Sequence, residues 1–260
     1  ESLPPQLSSA CESLPPQLSI ERDMFPRWLA EGRRFVVRDV DAPFIDIGTP
    51  ATLASAPAFF ETNADWFRRR PLVLLDRDGT IVYDRHHLCD AEGLELLPGA
   101  ASGIRRLREA GYAVAVVTNQ SVVGRGLLSL EGLHVIHDRL HELLRNEGAS
   151  VDVVVFCPHL PEAGCLCRKP KPALARRAAA RVHGDLRRAW VVGDAPSDIA
   201  LAVAIGARSS LVRTGHGSAY ERVGGPTPDC DELELRAAVE LILAGPSPAI
   251  GAPTVPRGYA

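Results

Sequence analysis

Leu72-Val73-Leu74-Leu75-Asp76-Arg77-Asp78-Gly79-Thr80 is the stretch on which the reading of this chain turns. Four apolar residues in a row, closed by an acidic pair, predict a strand covered on both faces, because a half-exposed strand would alternate apolar and polar positions. Working outward, the same pattern returns at Ala113–Val117 closing on Thr118, at Val151–Phe156 closing on Cys157, and at Trp190–Val192 closing on Gly193-Asp194; Ser210–Val212 offers a fifth strand. Helical spacing fits between them, over about 100–110, over 130–146 with Leu133, Ile136, Leu140 and Leu143 on one stripe, and over about 172–182 and 196–204. The alternation predicts an α/β fold, a Rossmann-like parallel sheet with helices on both faces. Ligands of such sheets sit beyond the carboxyl ends of the strands, where these polar residues fall.

Each strand end carries groups suited to one chemistry. Two carboxylates one residue apart, Asp76 and Asp78, can divide the work: one attacks as a nucleophile and binds a hard cation, and the other exchanges protons with a leaving oxygen. Thr118-Asn119-Gln120-Ser121 offers hydroxyl, amide and backbone donors for phosphate oxygens, and Lys169 can neutralise charge that builds on a transferred phosphoryl group. Gly193-Asp194-Ala195-Pro196-Ser197-Asp198 adds carboxylates for a magnesium ion, which prefers oxygen ligands. A bare D-x-D is a common acidic turn; four matched strand ends in order are not.

The motifs LLDRDGT, VVTNQS, CRKP and VVGDAPSD make residues 70–243 resemble the haloacid dehalogenase (HAD) superfamily of phosphatases. The resemblance implies that Asp76 forms an aspartyl-phosphate, that Asp78 is the general acid and then base, and that Thr118 and Lys169 steady the phosphoryl group. It further implies magnesium held by Asp76, Asp194 and the backbone carbonyl of Asp78, with Asp198 behind them. A cation is needed where an anionic carboxylate approaches an anionic ester.

Cys157, His159, Cys165 and Cys167 form a second constellation, directly followed by Arg168-Lys169-Pro170. Three thiolates and an imidazole close a tetrahedral shell, so a zinc ion there would be structural. Pro158, Pro161 and Gly164 let the segment fold back on itself. This spacing resembles the narrower branch of the superfamily that contains the heptose bisphosphate and histidinol-phosphate phosphatases, which implies a domain without a large cap. Within that branch Arg168 and the loop Asp84, Arg85, His86 and His87 are implied to contact substrate, together with the Asn119–Ser121 donors. Val122 and Ala195 depart from the branch's pattern, which bears on the substrate and not on the hydrolysis.

Other polar residues read less sharply. His134, His137 and His141 share a face of the 130–146 helix, and a solvated polar face is the simpler reading than a metal site. His86 and His87 stand between surface loop and substrate contact, and Arg125, between two glycines, can face either solvent or the phosphate pocket. Arg68-Arg69-Arg70 reads as a solvated linker. Cys11, Cys89 and Cys230 read as isolated thiols.

The whole chain has 260 residues with 29 Lys+Arg against 32 Asp+Glu, a net charge of −3 that excludes a strongly basic nucleic-acid binder. No apolar run reaches the roughly 18 to 20 residues of a membrane span and no secretory signal opens the chain, so a cytoplasmic protein is expected, and a monomer. ESLPPQLS occurs twice in residues 1–19, which read as a flexible leader; 245–260, rich in Gly and Pro, reads as a tail. Residues 67–244 form the expected phosphatase domain. Residues 20–66 form a module and linker in which SIERDMFPRWLAEGRR and FIDIGTPATLASAPAFF resemble the end of a sugar-1-phosphate nucleotidyltransferase, Asp46 matching its sugar-phosphate region. The Gly-rich nucleotide loop is missing, so nucleotidyl transfer is not expected. The sequence therefore points to a magnesium-dependent phosphomonoesterase acting on a small phosphorylated metabolite. A heptose bisphosphate is the leading substrate and histidinol phosphate the alternative, and a non-catalytic zinc-stabilised binding module is the rival of another class.

Overall fold

The computed structural model describes residues 19–35, 43–64 and 69–245. The leader over residues 1–18, the tail beyond residue 245, Cys11 and Arg68 lie outside the described residues. The chain divides into two compact units, Glu1–Leu53 and Ala54–Ala260. In the first, Ser19 Oγ accepts from the Arg22 backbone N–H to open one turn, Ile20–Met24, and helix α1 (Phe25–Ala30) follows. Phe25, Trp28 and Phe35 stack their rings at 5.5 to 6.2 Å between centroids. Asp46 is exposed, its Oδ1 accepting from the Gly48 N–H at 2.8 Å.

Helix α2 (Pro50–Thr62) precedes β1 (Arg70–Leu75). Then come α3 (Ala100–Glu109), β2 (Ala113–Asn119), α4 (Ser121–Gly124), α5 (Leu130–Asn146), β3 (Val153–Cys157), α6 (Ala173–Arg181) and β4 (Gly184–Gly193). The unit continues with α7 (Pro196–Ile205), β5 (Arg208–Val212), α8 (Tyr220–Val223), β6 (Cys230–Glu232) and α9 (Leu235–Ala244). All the strands pair in parallel in the order β3-β2-β1-β4-β5-β6. The chain thus winds outward from β1 on one side and then on the other, and a crevice opens between β1 and β4.

The strands are apolar throughout because side chains leave them alternately to two covered faces. Val73, Leu75, Val114, Val116 and Val192 pack on Ile104 of α3, Leu140 of α5 and Val239 of α9. Leu72, Leu74, Ala115 and Val191 pack on Leu174 and Ala178 of α6 and Leu201 of α7. Each buried Leu, Ile or Val contributes roughly 1.5 to 3 kcal/mol. Helix α5 starts where Ser129 Oγ accepts the Gly132 N–H at 3.0 Å and stops before Gly148 at φ +71°.

His137 is not on a solvated face: it is 5% exposed, beside Ile136 and Leu140, with its ring 5.3 Å from that of Phe156. The apolar stripe of α5 passes directly over it. Arg70 is not solvated linker but the first residue of β1, half-buried, donating to the Tyr112 carbonyl at 2.7 Å and to Asp152 at 3.3 Å. The edge strand β6 and helix α9 were not foreseen. Among the described residues no helix is long and apolar enough to cross a membrane.

Candidate active site

Beyond the carboxyl ends of β1, β2 and β4 lies a pocket of about 220 Å³. It is lined by Asp76, Asp78, Asp84, His86, Thr118, Asn119, Gln120, Ser121, Arg168, Lys169 and Asp194, which the sequence had singled out separately. Arg77, Ser197 and His216 also line it and had not been foreseen. Arg85 turns to Glu95 at 2.8 Å, and neither it nor His87 nor Arg125 is among the lining residues.

Asp76 leaves β1 with its backbone N–H bonded to the Val192 carbonyl at 2.9 Å, which fixes it against β4. Lys169 Nζ lies 2.7 Å from Asp76 and 2.6 Å from Asp198. Burial, the largest influence on Lys169, disfavours its charge, yet the Asp198 and Asp76 carboxylates outweigh it and hold the ammonium above the usual lysine range. Asp198 also accepts the Ala195 N–H at 3.1 Å, so it ties the start of α7 to the lysine. Asp76 is pushed up to about 7, first by burial and then by Asp198 and Asp78, against the pull of Lys169. Asp194 is pushed up to about 8 by burial, Asp76 and Asp198, although the His216 N–H at 2.7 Å favours its ionised form.

Oxygens of Asp76, Asp194 and Asp198 all lie within 4.8 Å of one another. Three carboxylates, two of them buried and Asp76 largely so, against one ammonium leave an excess of negative charge, and an all-oxygen donor set suits a hard divalent cation. The backbone makes room for them. Gly79 at φ +76° and Gly215 at φ +53° approach Asp194 so closely that a Cβ on either would overlap its Oδ2. Thr214 Oγ1 donates to the Gly79 carbonyl at 2.5 Å and joins the two turns.

The second carboxylate of the pair is held from the side. Arg77, 1% exposed, places Nε and Nη2 at 2.9 to 3.2 Å from Asp78 and Nη2 at 2.9 Å from Gln120. Gln120 donates to Asp78 Oδ2 at 2.7 Å and to Thr118 Oγ1 at 2.9 Å. Arginine, glutamine, threonine and aspartate thus form one network that limits where the Asp78 carboxylate can point.

The cysteine loop abuts this pocket. Cys157, His159, Cys165 and Cys167 bring their Sγ and Nδ1 atoms within 4.8 Å of one another, with the closer pairs at 3.2 to 3.6 Å. Those separations are near the edge of a tetrahedron with metal–sulfur bonds of about 2.3 Å, so the set can hold a metal ion. From its far end, Lys169 N–H donates to Asn119 Oδ1 at 3.0 Å and Asn119 Nδ2 to the Lys169 carbonyl at 3.4 Å, which locks the loop to the end of β2.

Comparison with known proteins agrees with this geometry. The HAD-hydrolase-like family model matches residues 166–233. The chain is 42% identical over 156 residues to the D-glycero-beta-D-manno-heptose-1,7-bisphosphate 7-phosphatase of Pseudomonas putida, covering 60% of this chain and 89% of that protein. It is 38% identical to the D-glycero-D-manno-heptose-1,7-bisphosphate 7-phosphatase of Thermosynechococcus vestitus, covering 66% of this chain and 95% of that protein. Among solved structures, the D,D-heptose 1,7-bisphosphate phosphatase of Bordetella bronchiseptica, complexed with magnesium and phosphate, superposes with a TM-score of 0.62 at 37% identity, over 66% of this chain and 97% of that one. With this sheet, these strand-end residues and these relatives, the chain belongs to the HAD-like phosphatases, in the family that includes the heptose bisphosphate phosphatases.

Proposed function

We propose that this phosphatase removes the 7-phosphate of D-glycero-D-manno-heptose 1,7-bisphosphate, through a phosphoryl group carried on Asp76. The observation that carries the reading is the meeting of Asp76, Asp78, Lys169 and Asp194 at the mouth of the β1–β4 crevice, in a chain with relatives of that activity. Relatives at 38 to 42% identity that bear the heptose bisphosphate phosphatase name favour a sugar phosphate over histidinol phosphate.

In the first step an Asp76 oxygen bonds to phosphorus as the bond from phosphorus to the sugar oxygen breaks, and that oxygen takes a proton from Asp78. In the second, water gives a proton to Asp78 and attacks the same phosphorus, releasing inorganic phosphate and restoring the Asp76 carboxylate. The network of Arg77 and Gln120 orients Asp78 for both transfers. The cationic Lys169 and the Thr118 hydroxyl face the phosphoryl oxygens, where negative charge gathers. Asp76, Asp194 and the Asp78 carbonyl would hold magnesium, with Asp198 fixing Lys169 behind them; when bound, the ion supplies positive charge that offsets repulsion between carboxylate and ester. Arg168, Asn119, Ser121, Asp84 and His86 remain on the pocket wall to meet the rest of the substrate.

We assign the cysteine loop a structural zinc. Its four protein ligands leave no open position, so its part in turnover is to hold Arg168 and Lys169 in place.

The assay is phosphate release with magnesium from heptose 1,7-bisphosphate and histidinol phosphate side by side. Turnover of the heptose bisphosphate at least about a hundredfold above histidinol phosphate, by kcat/KM, is expected, since a site built for the wrong polar groups leaves buried partners unpaired. Preference for histidinol phosphate would overturn the substrate assignment and leave the reaction class intact.

A further inference from the structure

At the outer rim of the pocket, His216 converges with Asp84 and His86 of the substrate wall, apart from the carboxylate site and the cysteine loop. Asp84 Oδ2 lies 2.9 Å from His216 Nε2 and 4.0 Å from His86 Nδ1, and one ligand atom from each of the three falls within 4.8 Å of the others. The two imidazole rings stand 6.1 Å apart between centroids, inclined at 45°. We propose that Asp84, His86 and His216 form a binding site for a borderline divalent transition-metal ion, of which zinc is the type, at the mouth of the pocket.

The backbone arranges these groups before any ion arrives. Asp84 Oδ1 accepts the His86 N–H at 2.7 Å, which turns the carboxylate so that Oδ2 faces both rings. That turn holds His86 at φ +61°, an uncommon conformation for a non-glycine residue that projects its side chain back over Asp84. His216 comes from the turn after β5, and its backbone N–H is bonded to Asp194. Its position is therefore fixed by the same carboxylate that lines the centre of the pocket.

Donor chemistry separates this site from its neighbour. Two imidazoles and one carboxylate match zinc, cobalt, nickel or copper, whereas magnesium selects the oxygen-only set of Asp76, Asp194 and the Asp78 carbonyl. With bonds of about 2.0 to 2.1 Å, tetrahedral ligand atoms stand about 3.3 Å apart. Reaching that spacing takes a small outward shift of His216, whose ring proton toward Asp84 the ion replaces, and an inward turn of the exposed His86 ring. Three protein ligands leave a position open toward the pocket, where an anionic oxygen of a bound ligand can complete the shell.

The test is zinc binding by the whole protein in excess magnesium, by equilibrium dialysis with elemental analysis, and in parallel the visible spectrum after titration with cobalt(II). We expect about two zinc ions per chain, one in the cysteine loop and one at the rim. His216→Ala and His86→Ala should each weaken the second by at least about tenfold, since loss of a direct ligand costs no less than loss of an outer partner. Asp76→Asn, which alters the magnesium set and touches none of the three rim ligands, should leave it bound. Cobalt should give a nitrogen- and oxygen-ligated band that His216→Ala removes while the thiolate band stays. A second zinc that survives both histidine substitutions, or one lost in Asp76→Asn alone, would overturn the assignment, as would a wild-type chain that binds only the zinc of the cysteine loop.

Discussion

Arg77 stands between the two carboxylates of the acidic pair, where the sequence suggests no more than a spacer, yet it is buried and grips Asp78 with two nitrogens. A general acid must aim its proton at the leaving oxygen, and a misplacement of about 1 Å can cost about a hundredfold in rate. Arg77→Ala is therefore expected to lower kcat by roughly 10- to 100-fold with KM nearly unchanged, and Arg77→Lys to recover part of the loss; steady-state kinetics on the two variants checks this. His137 makes a different demand. Burial, joined by the charges of Arg77 and His134, pushes it down to about 3 from an ordinary 6.5, in spite of Asp78, so the folded protein keeps it neutral. Between those values the unfolded chain binds the proton that the folded chain refuses, so stability is complete above about pH 6.5 and falls as pH drops toward 3. The slope from this one group approaches about 1.4 kcal/mol per pH unit. Urea unfolding of His137→Leu across that range should show a shallower acid loss than wild type; parallel curves would show that His137 is not the group responsible.

At the scale of elements, what the sequence reveals is what desolvation enforces. The strand cores of β1, β2 and β4 are legible because both faces are covered and every position must be apolar. The polar residues at their ends are legible because they break that rule abruptly. Strand β6, Cys230-Asp231-Glu232, is hidden because an edge strand of three residues can be polar, its backbone pairing with β5 supplying the order. His137 could have been read as buried, since it adjoins Ile136 and precedes Leu140 by nearly one turn; the histidine spacing distracted from the apolar one. His216 has no signal in its local sequence, for it reaches the pocket only because β5 ends beside β4. The cysteine loop, in contrast, announces itself by ligand spacing. Its coupling to Asn119 predicts that Cys165→Ser, besides losing zinc, lowers both Tm and kcat, the latter by about tenfold or more; a variant with normal kcat and no zinc would separate the loop from the active site.

Across the whole molecule, the parallel order β3-β2-β1-β4-β5-β6 gathers groups that are far apart in the chain, from Asp76 to His216, at one rim. Nothing in the local propensity of any segment requires that meeting. It follows from winding the chain outward from β1 in both directions, so that the ends of β1 and β4 lie side by side with no helix between them. The proposed chemistry then depends on one bond, between Asp76 and phosphorus. Rapid acid quench of the magnesium-loaded enzyme during turnover of 7-phosphate-labelled heptose bisphosphate, followed by peptide mapping, tests it directly. Label is expected on the peptide containing Asp76 and none in Asp76→Asn; label on another residue, or active enzyme in which Asp76 never carries phosphate, would rule out the aspartyl-phosphate at Asp76.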